Sequence, residues 1–176
     1  MKGNGMMGLE IERKFLLDGF PDLPEKSRAD VWQGYLCVDP VVRIRSKKTD
    51  GRVDYKLCFK GEGTLARKEI ELPIEAEIFY QLQELIARPL IHKDYRTYGL
   101  PGGYCLECSL VDEGKPTAFY YAEVEFSSVE EAASFQPPNF LGRDVTEEEG
   151  YGMAEYWVKT SGNSNGAHGV SSSEIT

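Results

Sequence analysis

The chain has 176 residues, 41% hydrophobic and 28% charged, which suits one soluble globular domain with a short appendage. Its net charge of −9, from 20 basic and 29 acidic residues, argues against a nucleic-acid partner held by bulk charge. No apolar run approaches the ~20 residues of a membrane span, and two histidines exclude a three-histidine zinc site.

The first eight residues have no apolar core behind Lys2 and are not expected to be a signal peptide. Cys37, Cys58, Cys105 and Cys108 are therefore expected as reduced thiols in a cytoplasmic protein. Period-2 alternation predicts strands over 9–17, 30–38, 41–48, 52–60, 67–74, 90–98, 104–111 and 119–127. Asp39-Pro40, Thr49-Asp50-Gly51, Gly61-Glu62-Gly63 and Pro101-Gly102-Gly103 supply the turns. Between the fifth and sixth strands, Ile78, Phe79, Leu82, Leu85 and Ile86 form one apolar stripe, which predicts a helix over 75–87 ended by Pro89. Weaker helical patterns cover 129–135 and 147–158. Residues 161–176 are mostly Ser, Gly and Asn and are expected to form a disordered tail, leaving 8–160 as the folded domain. Eight strands with few helices predict a mainly β fold, an eight-stranded antiparallel barrel with a few flanking helices.

The strand faces carry charge in an i, i+2 register. Glu10, Glu12 and Lys14 share one face, as do Arg43, Arg45 and Lys47; Lys56 and Lys60; Glu69 and Glu71; and Tyr121, Glu123 and Glu125. Apolar residues occupy the alternate positions. Two arrangements fit. The charged faces are wet sheet surface, or they line a barrel lumen with the apolar faces turned out against helices. A lumen with both signs suits a polyanion accompanied by a divalent cation, since Arg grips phosphate oxygens and carboxylates hold Mg²⁺ or Mn²⁺.

With these motifs in order, the sequence resembles the CYTH superfamily, the triphosphate tunnel metalloenzymes. The resemblance rests on Glu10-Ile11-Glu12-Arg13-Lys14-Phe15, Gln33-Gly34-Tyr35-Leu36, Arg43-Ile44-Arg45, Lys56, Glu69-Ile70-Glu71, Ala122-Glu123-Val124-Glu125-Phe126 and Gly142-Arg143-Asp144-Val145-Thr146, with Tyr151 beyond. It implies an eight-stranded tunnel that binds a small triphosphate and Mg²⁺ or Mn²⁺, with no nucleic-acid or membrane partner. Carried over, Glu10, Glu12, Glu123 and Glu125 are metal ligands, with Glu107 a further candidate. Lys14, Arg43, Arg45 and Lys56 hold phosphates, and Lys60 joins them from the same face of its strand. Glu69 and Glu71 fit the lumen, as ligands or as partners of the cations.

The sequence departs from the family pattern in two places. The sixth strand usually carries K-x-R, both facing inward, but here Lys93 and Arg96 are three apart. A β-bulge near Asp94 would bring both inside and equalise seven cations with seven acids. The seventh strand usually reads E-x-D, but here Glu107-Cys108-Ser109 lacks the second acid. Other signals carry less. Cys105 and Cys108 lie three apart on a predicted strand, so they face opposite sides. No G-K-[ST] follows the glycine turns, and His92 has no nucleophile motif beside it.

Within the family, hydrolysis and adenylyl cyclisation share the phosphate and metal grip. No added feature for adenine is evident, so the expected activity is metal-dependent hydrolysis of a small triphosphate, inorganic triphosphate first. Lys93, with Tyr35, is the candidate to orient or deprotonate the water. A class IV-type adenylyl cyclase and a non-catalytic receptor for triphosphate or polyphosphate are the alternatives.

Overall fold

The computed structural model describes residues 8–162. Residues 1–7 and 163–176 lie outside the described residues; of the tail expected over 161–176, Ser161 instead closes the last helix and Gly162 caps it. Eight strands form one closed antiparallel barrel in the order β1-β5-β4-β3-β2-β6-β7-β8. They are β1 (Leu9–Leu17), β2 (Glu25–Val38), β3 (Val41–Thr49), β4 (Arg52–Lys60), β5 (Ala66–Pro73), β6 (Ile91–Gly99), β7 (Cys105–Val111) and β8 (Phe119–Glu125). Three helices flank them: α1 (Ala76–Glu84), α2 (Val129–Ser134) and α3 (Met153–Ser161). No helix among the described residues is long and apolar enough to cross a membrane.

The apolar positions of the strands turn outward, and helices cover two patches of them. Ile11, Phe15, Leu106, Ala122 and Val124 pack under α2 and the segment after it, with Phe135 and Leu141. Ile44 and Leu90 pack with Phe79 of α1. Each of the larger side chains contributes ~1.5–3 kcal/mol by leaving water, so the helices stabilise an inside-out barrel whose charged faces point to the axis. The third apolar cluster lies at one end of the lumen. There Tyr35, Ile91, Val111 and Tyr121 meet Met153, Tyr156 and Trp157 of α3. α3 is tied down from both sides: Tyr156 Oη donates to buried Asp112 at 2.8 Å, and the Arg88 guanidinium stacks on Trp157 at 4.0 Å.

Three elements, β2, α1 and α3, depart from the sequence expectation by three residues or more at an end. β2 begins at Glu25 rather than 30 because its polar start pairs with β6, Ser27 Oγ meeting Thr97 Oγ1 at 2.7 Å. α1 stops at Glu84, and of its apolar stripe Phe79 is buried while Ile78 and Leu85 are exposed. α3 starts at Met153 rather than 147. Asp144 holds the preceding turn through the Thr146 backbone and hydroxyl, and Glu155 accepts from the Gly150 and Gly152 N–H groups. Gly150 has φ +92°, a conformation that ends any helix running through it.

Candidate active site

The inward faces of the strands enclose a continuous cavity of about 1430 Å³. Its lining is charged, so the lumen arrangement holds and the wet-surface alternative does not. The charges are sorted by strand. On the contiguous wall β7-β8-β1, Glu107, Glu123, Glu125, Glu10 and Glu12 line the cavity, with Lys14 the single base. On the wall β5-β4-β3-β2-β6, seven bases line it: Arg67, Lys56, Lys60, Arg43, Arg45, Lys47 and Lys93. Glu69 and Glu71 are the two acids there.

On the acid wall, Glu12 lies opposite Glu125, and Glu107 opposite Glu123. Burial, with the charges of Glu123 and Glu10 added, pushes the Glu12 carboxyl up to about 8. Glu10 goes the other way. Burial raises it, but Lys60 at 2.7 Å and Arg67 at 3.2 Å outweigh that and bring it down to about 2. Burial raises Glu107 too, helped by Glu123. Carboxylates crowded until one keeps its proton form an oxygen-donor set that a hard divalent cation satisfies. These residues therefore fit the metal implied by the family.

On the cation wall, Arg43 is buried and reaches Glu69 at 3.9 Å and the Cys58 sulfur at 3.6 Å. Arg45 and Lys56 share Glu71 at 3.0 and 2.5 Å. Lys60 bridges the two walls, 2.7 Å from Glu10 and 3.6 Å from Glu69. Cys58 Sγ, Glu69 and Glu71 offer ligand atoms within 4.8 Å of one another. They fit a cation poorly, because burial raises the Cys58 thiol to about 11 and Glu71 is already held by two cations.

Lys93 is buried, and burial among Arg43, Lys14 and Arg45 holds its amine well below the usual lysine range. It donates to Tyr121 Oη at 2.5 Å. Its hydroxyl partner is thus Tyr121 rather than Tyr35, whose own hydroxyl accepts from Gln33 Nε2 at 3.1 Å. Tyr35 still faces the lumen and sits opposite Arg43 across the β2–β3 ladder.

Of the expected site residues, the structure brings together Glu10, Glu12, Lys14, Tyr35, Arg43, Arg45, Lys56, Lys60, Lys93, Glu107, Glu123 and Glu125. Arg96 is a correction. Pairing of β6 is regular from Ile91 to Thr97 on the β2 side and from Lys93 to Gly99 on the β7 side, with a register shift only where β2 passes Tyr98 and no bulge at Asp94. Arg96 therefore lies on the outer face, where it and Arg28 hold buried Asp94 at 2.8 and 2.7 Å and its guanidinium covers the Phe20 ring at 3.9 Å. The charge balance that motivated the bulge is met without it. Arg67 and Lys47 bring the cavity bases to eight against seven strand carboxylates. Arg67 was missed although it shares its parity with Glu69 and Glu71, which was signal enough.

The two departures from the family pattern turn out to be one contact. Tyr95, two residues after Lys93, takes the inward position expected of the arginine, and its direct cross-strand partner is Ser109. A pair of opposite charges is thus replaced by a neutral pair, and the charge sum of the lumen is unchanged. Tyr95 is held by Glu107 and by Lys47, whose Nζ lies 4.1 Å from the ring centre.

No protein-family model matches the chain. Over 142 residues it is 34% identical to the inorganic triphosphatase of Nitrosomonas europaea, a match covering 81% of this chain and 92% of that relative. The crystal structure of an inorganic triphosphatase superposes with a TM-score of 0.58 at 28% identity, covering 85% of this chain and 94% of the other.

Proposed function

We propose that this chain, which belongs to the CYTH superfamily of triphosphate tunnel metalloenzymes, hydrolyses inorganic triphosphate to orthophosphate and pyrophosphate with Mg²⁺ or Mn²⁺. The observation that carries this reading is the sorting of lumen charge: seven bases on one wall face five carboxylates on the other. A triphosphate laid along β3 meets Arg43 and Arg45, with Lys56, Lys60, Arg67 and Lys14 at its sides. Glu10, Glu12, Glu107, Glu123 and Glu125 are the residues that would hold the metal. When bound, the metal neutralises phosphate charge and polarises the scissile bond. The relative's name supports inorganic triphosphate as the substrate.

The chain's own residues supply the rest. Guanidinium and ammonium groups fixed by the barrel stabilise charge on the departing pyrophosphate without reorganising. Burial holds the Lys93 amine well below the usual lysine range, and in its unprotonated form it can take a proton from the attacking water while keeping its bond to Tyr121. Tyr35 closes the end of the site near Arg43, backed by Trp157 with ring centres 5.6 Å apart.

The test is a substrate panel of inorganic triphosphate, thiamine triphosphate, ATP and pyrophosphate, with Mg²⁺, Mn²⁺ or chelator, read as orthophosphate, pyrophosphate and cyclic AMP. Orthophosphate and pyrophosphate in equal amounts from inorganic triphosphate, abolished by chelator, is the expected result. Cyclic AMP from ATP would make the chain a cyclase. Tight triphosphate binding with no product would make it a receptor.

A further inference from the structure

Among the described residues, three buried side-chain atoms have no hydrogen-bond partner, and Gln33 Oε1 is the acceptor of the three. Gln33 is fully buried on β2 and lines the lumen. Its amide nitrogen donates to Tyr35 Oη at 3.1 Å, and the Tyr35 ring packs on Trp157. A buried carbonyl oxygen without a donor costs on the order of 1–3 kcal/mol. An apolar residue of the same shape would avoid that cost, so the oxygen points to a donor that arrives with the substrate.

Register says which donor. Gln33 lies opposite Arg45 on β3 and opposite Ile91 on β6, and Lys93 is the next inward residue of β6. Diagonal neighbours of this kind are on the order of 7 Å apart, enough for one water between the carboxamide and the amine. The neighbouring guanidinium groups of Arg43 and Arg45 attract phosphate but cannot accept a hydrogen. Gln33 Oε1 can.

We propose that Gln33 orients the attacking water, its Oε1 accepting one hydrogen so that a lone pair of the water oxygen faces the terminal phosphorus held by Arg43 and Arg45. This rests on the triphosphatase reading above. In the step, the water oxygen bonds to the terminal phosphorus as the bridging P–O bond breaks. Pyrophosphate leaves with that electron pair. One water proton passes to Lys93 Nζ in its unprotonated form, and the other stays on the new orthophosphate, still hydrogen-bonded to Gln33. A carboxamide aiming a water at a terminal phosphoryl group is a recurrent device in nucleotide hydrolysis.

The experiment is steady-state kinetics on inorganic triphosphate, with melting curves, for Gln33→Met and Gln33→Glu. Met keeps the volume but has no comparable acceptor, and should lower kcat by about 10²-fold with KM within about threefold of wild type. Glu keeps an acceptor oxygen and should stay within about tenfold of wild-type kcat. A Met variant with wild-type kcat, an equal loss in both variants, or a rise in KM with kcat retained would each overturn the proposal, the last by making Gln33 a phosphate ligand. If Gln33→Met does not fold, Gln33→Asn withdraws the same group by one methylene and should show the same kcat-only loss; wild-type kcat there overturns the proposal equally. Wild-type protein that releases no orthophosphate would remove the triphosphatase reading together with this one. Wild-type turnover with unaffected variants removes this one alone.

Discussion

The two walls of the lumen solve opposite problems with the same secondary structure. On β7-β8-β1, like charges crowd, and Glu12 relieves the strain by keeping a proton to about pH 8. On β5-β4-β3-β2-β6, an excess of bases is steadied by two shared carboxylates, Glu69 and Glu71, and by Lys60 reaching across to Glu10. One wall is incomplete without a cation and the other without an anion. A metal-bound triphosphate supplies both, which is why a barrel with nearly equal numbers of acids and bases can still bind a highly charged ligand.

The largest expected effect comes from breaking the acid wall. Glu12→Gln should lower activity by about 10²-fold or more while the fold persists, read as initial rates over a Mg²⁺ and Mn²⁺ titration beside circular dichroism. Turnover near wild type at saturating metal would detach this wall from metal binding. The same variant sharpens the electrostatic contrast. A carboxyl with a raised folded pKa contributes stability below the unfolded value of about 4.5 and loses it as pH rises through about 8. Metal-free Glu12→Gln should therefore melt higher than wild type at pH 8.5, with the difference gone at pH 4.

Breaking the cation wall comes next. Arg43→Ala should weaken triphosphate binding by roughly 10- to 100-fold, and pyrophosphate binding less, in calorimetry. Unchanged triphosphate affinity would remove β3 from the substrate site.

The seam between the walls is where Tyr95 faces Ser109. Ser109→Asp alone adds a buried carboxylate to the acid wall opposite neutral Tyr95, and Tyr95→Arg alone adds a cation beside Lys47 opposite neutral Ser109. Each should cost stability and rate, and the double variant should recover much of both. A double-mutant cycle should give a coupling of at least ~1 kcal/mol, and strict additivity would mean the two positions do not compensate.

The smallest effect on catalysis lies outside the barrel. Arg96→Ala should leave kcat and KM unchanged and lower stability by about 1–2 kcal/mol, since it removes a partner of buried Asp94. Burial raises the Asp94 carboxyl, but its bonds to Arg96 and Arg28 outweigh that and hold it below its ordinary range. Its contribution is thus present above the unfolded pKa of about 3.8 and is lost as pH falls below that. Melting curves at pH 7 and pH 3 should show the Arg96→Ala deficit shrinking in acid.

What the sequence determined by itself is parity. Alternation along each strand assigned Glu10, Glu12, Arg43, Arg45, Lys56 and Glu123 to common faces, and the barrel kept those assignments because a regular strand cannot turn alternate residues the same way. The same rule included Arg67 and Tyr95 and excluded Arg96; following parity rather than charge type would have found all three. Tertiary structure decided what lies across from what. That Tyr95 meets Ser109, that Lys93 bonds Tyr121 rather than Tyr35, and that Gln33 keeps an unpaired oxygen depend on strand order and stagger, which local alternation does not encode. Helix ends were also tertiary. α1 and α3 end or begin where packing on the barrel, a glycine at positive φ and the carboxylates of Asp144 and Glu155 leave the backbone hydrogen bonds satisfied, whereas the apolar stripe extends further than the surface available to bury it. The sorting of acids onto one wall and bases onto the other is the clearest case. Each strand shows only its own charges, and the wall exists because closing the sheet sets β8 beside β1.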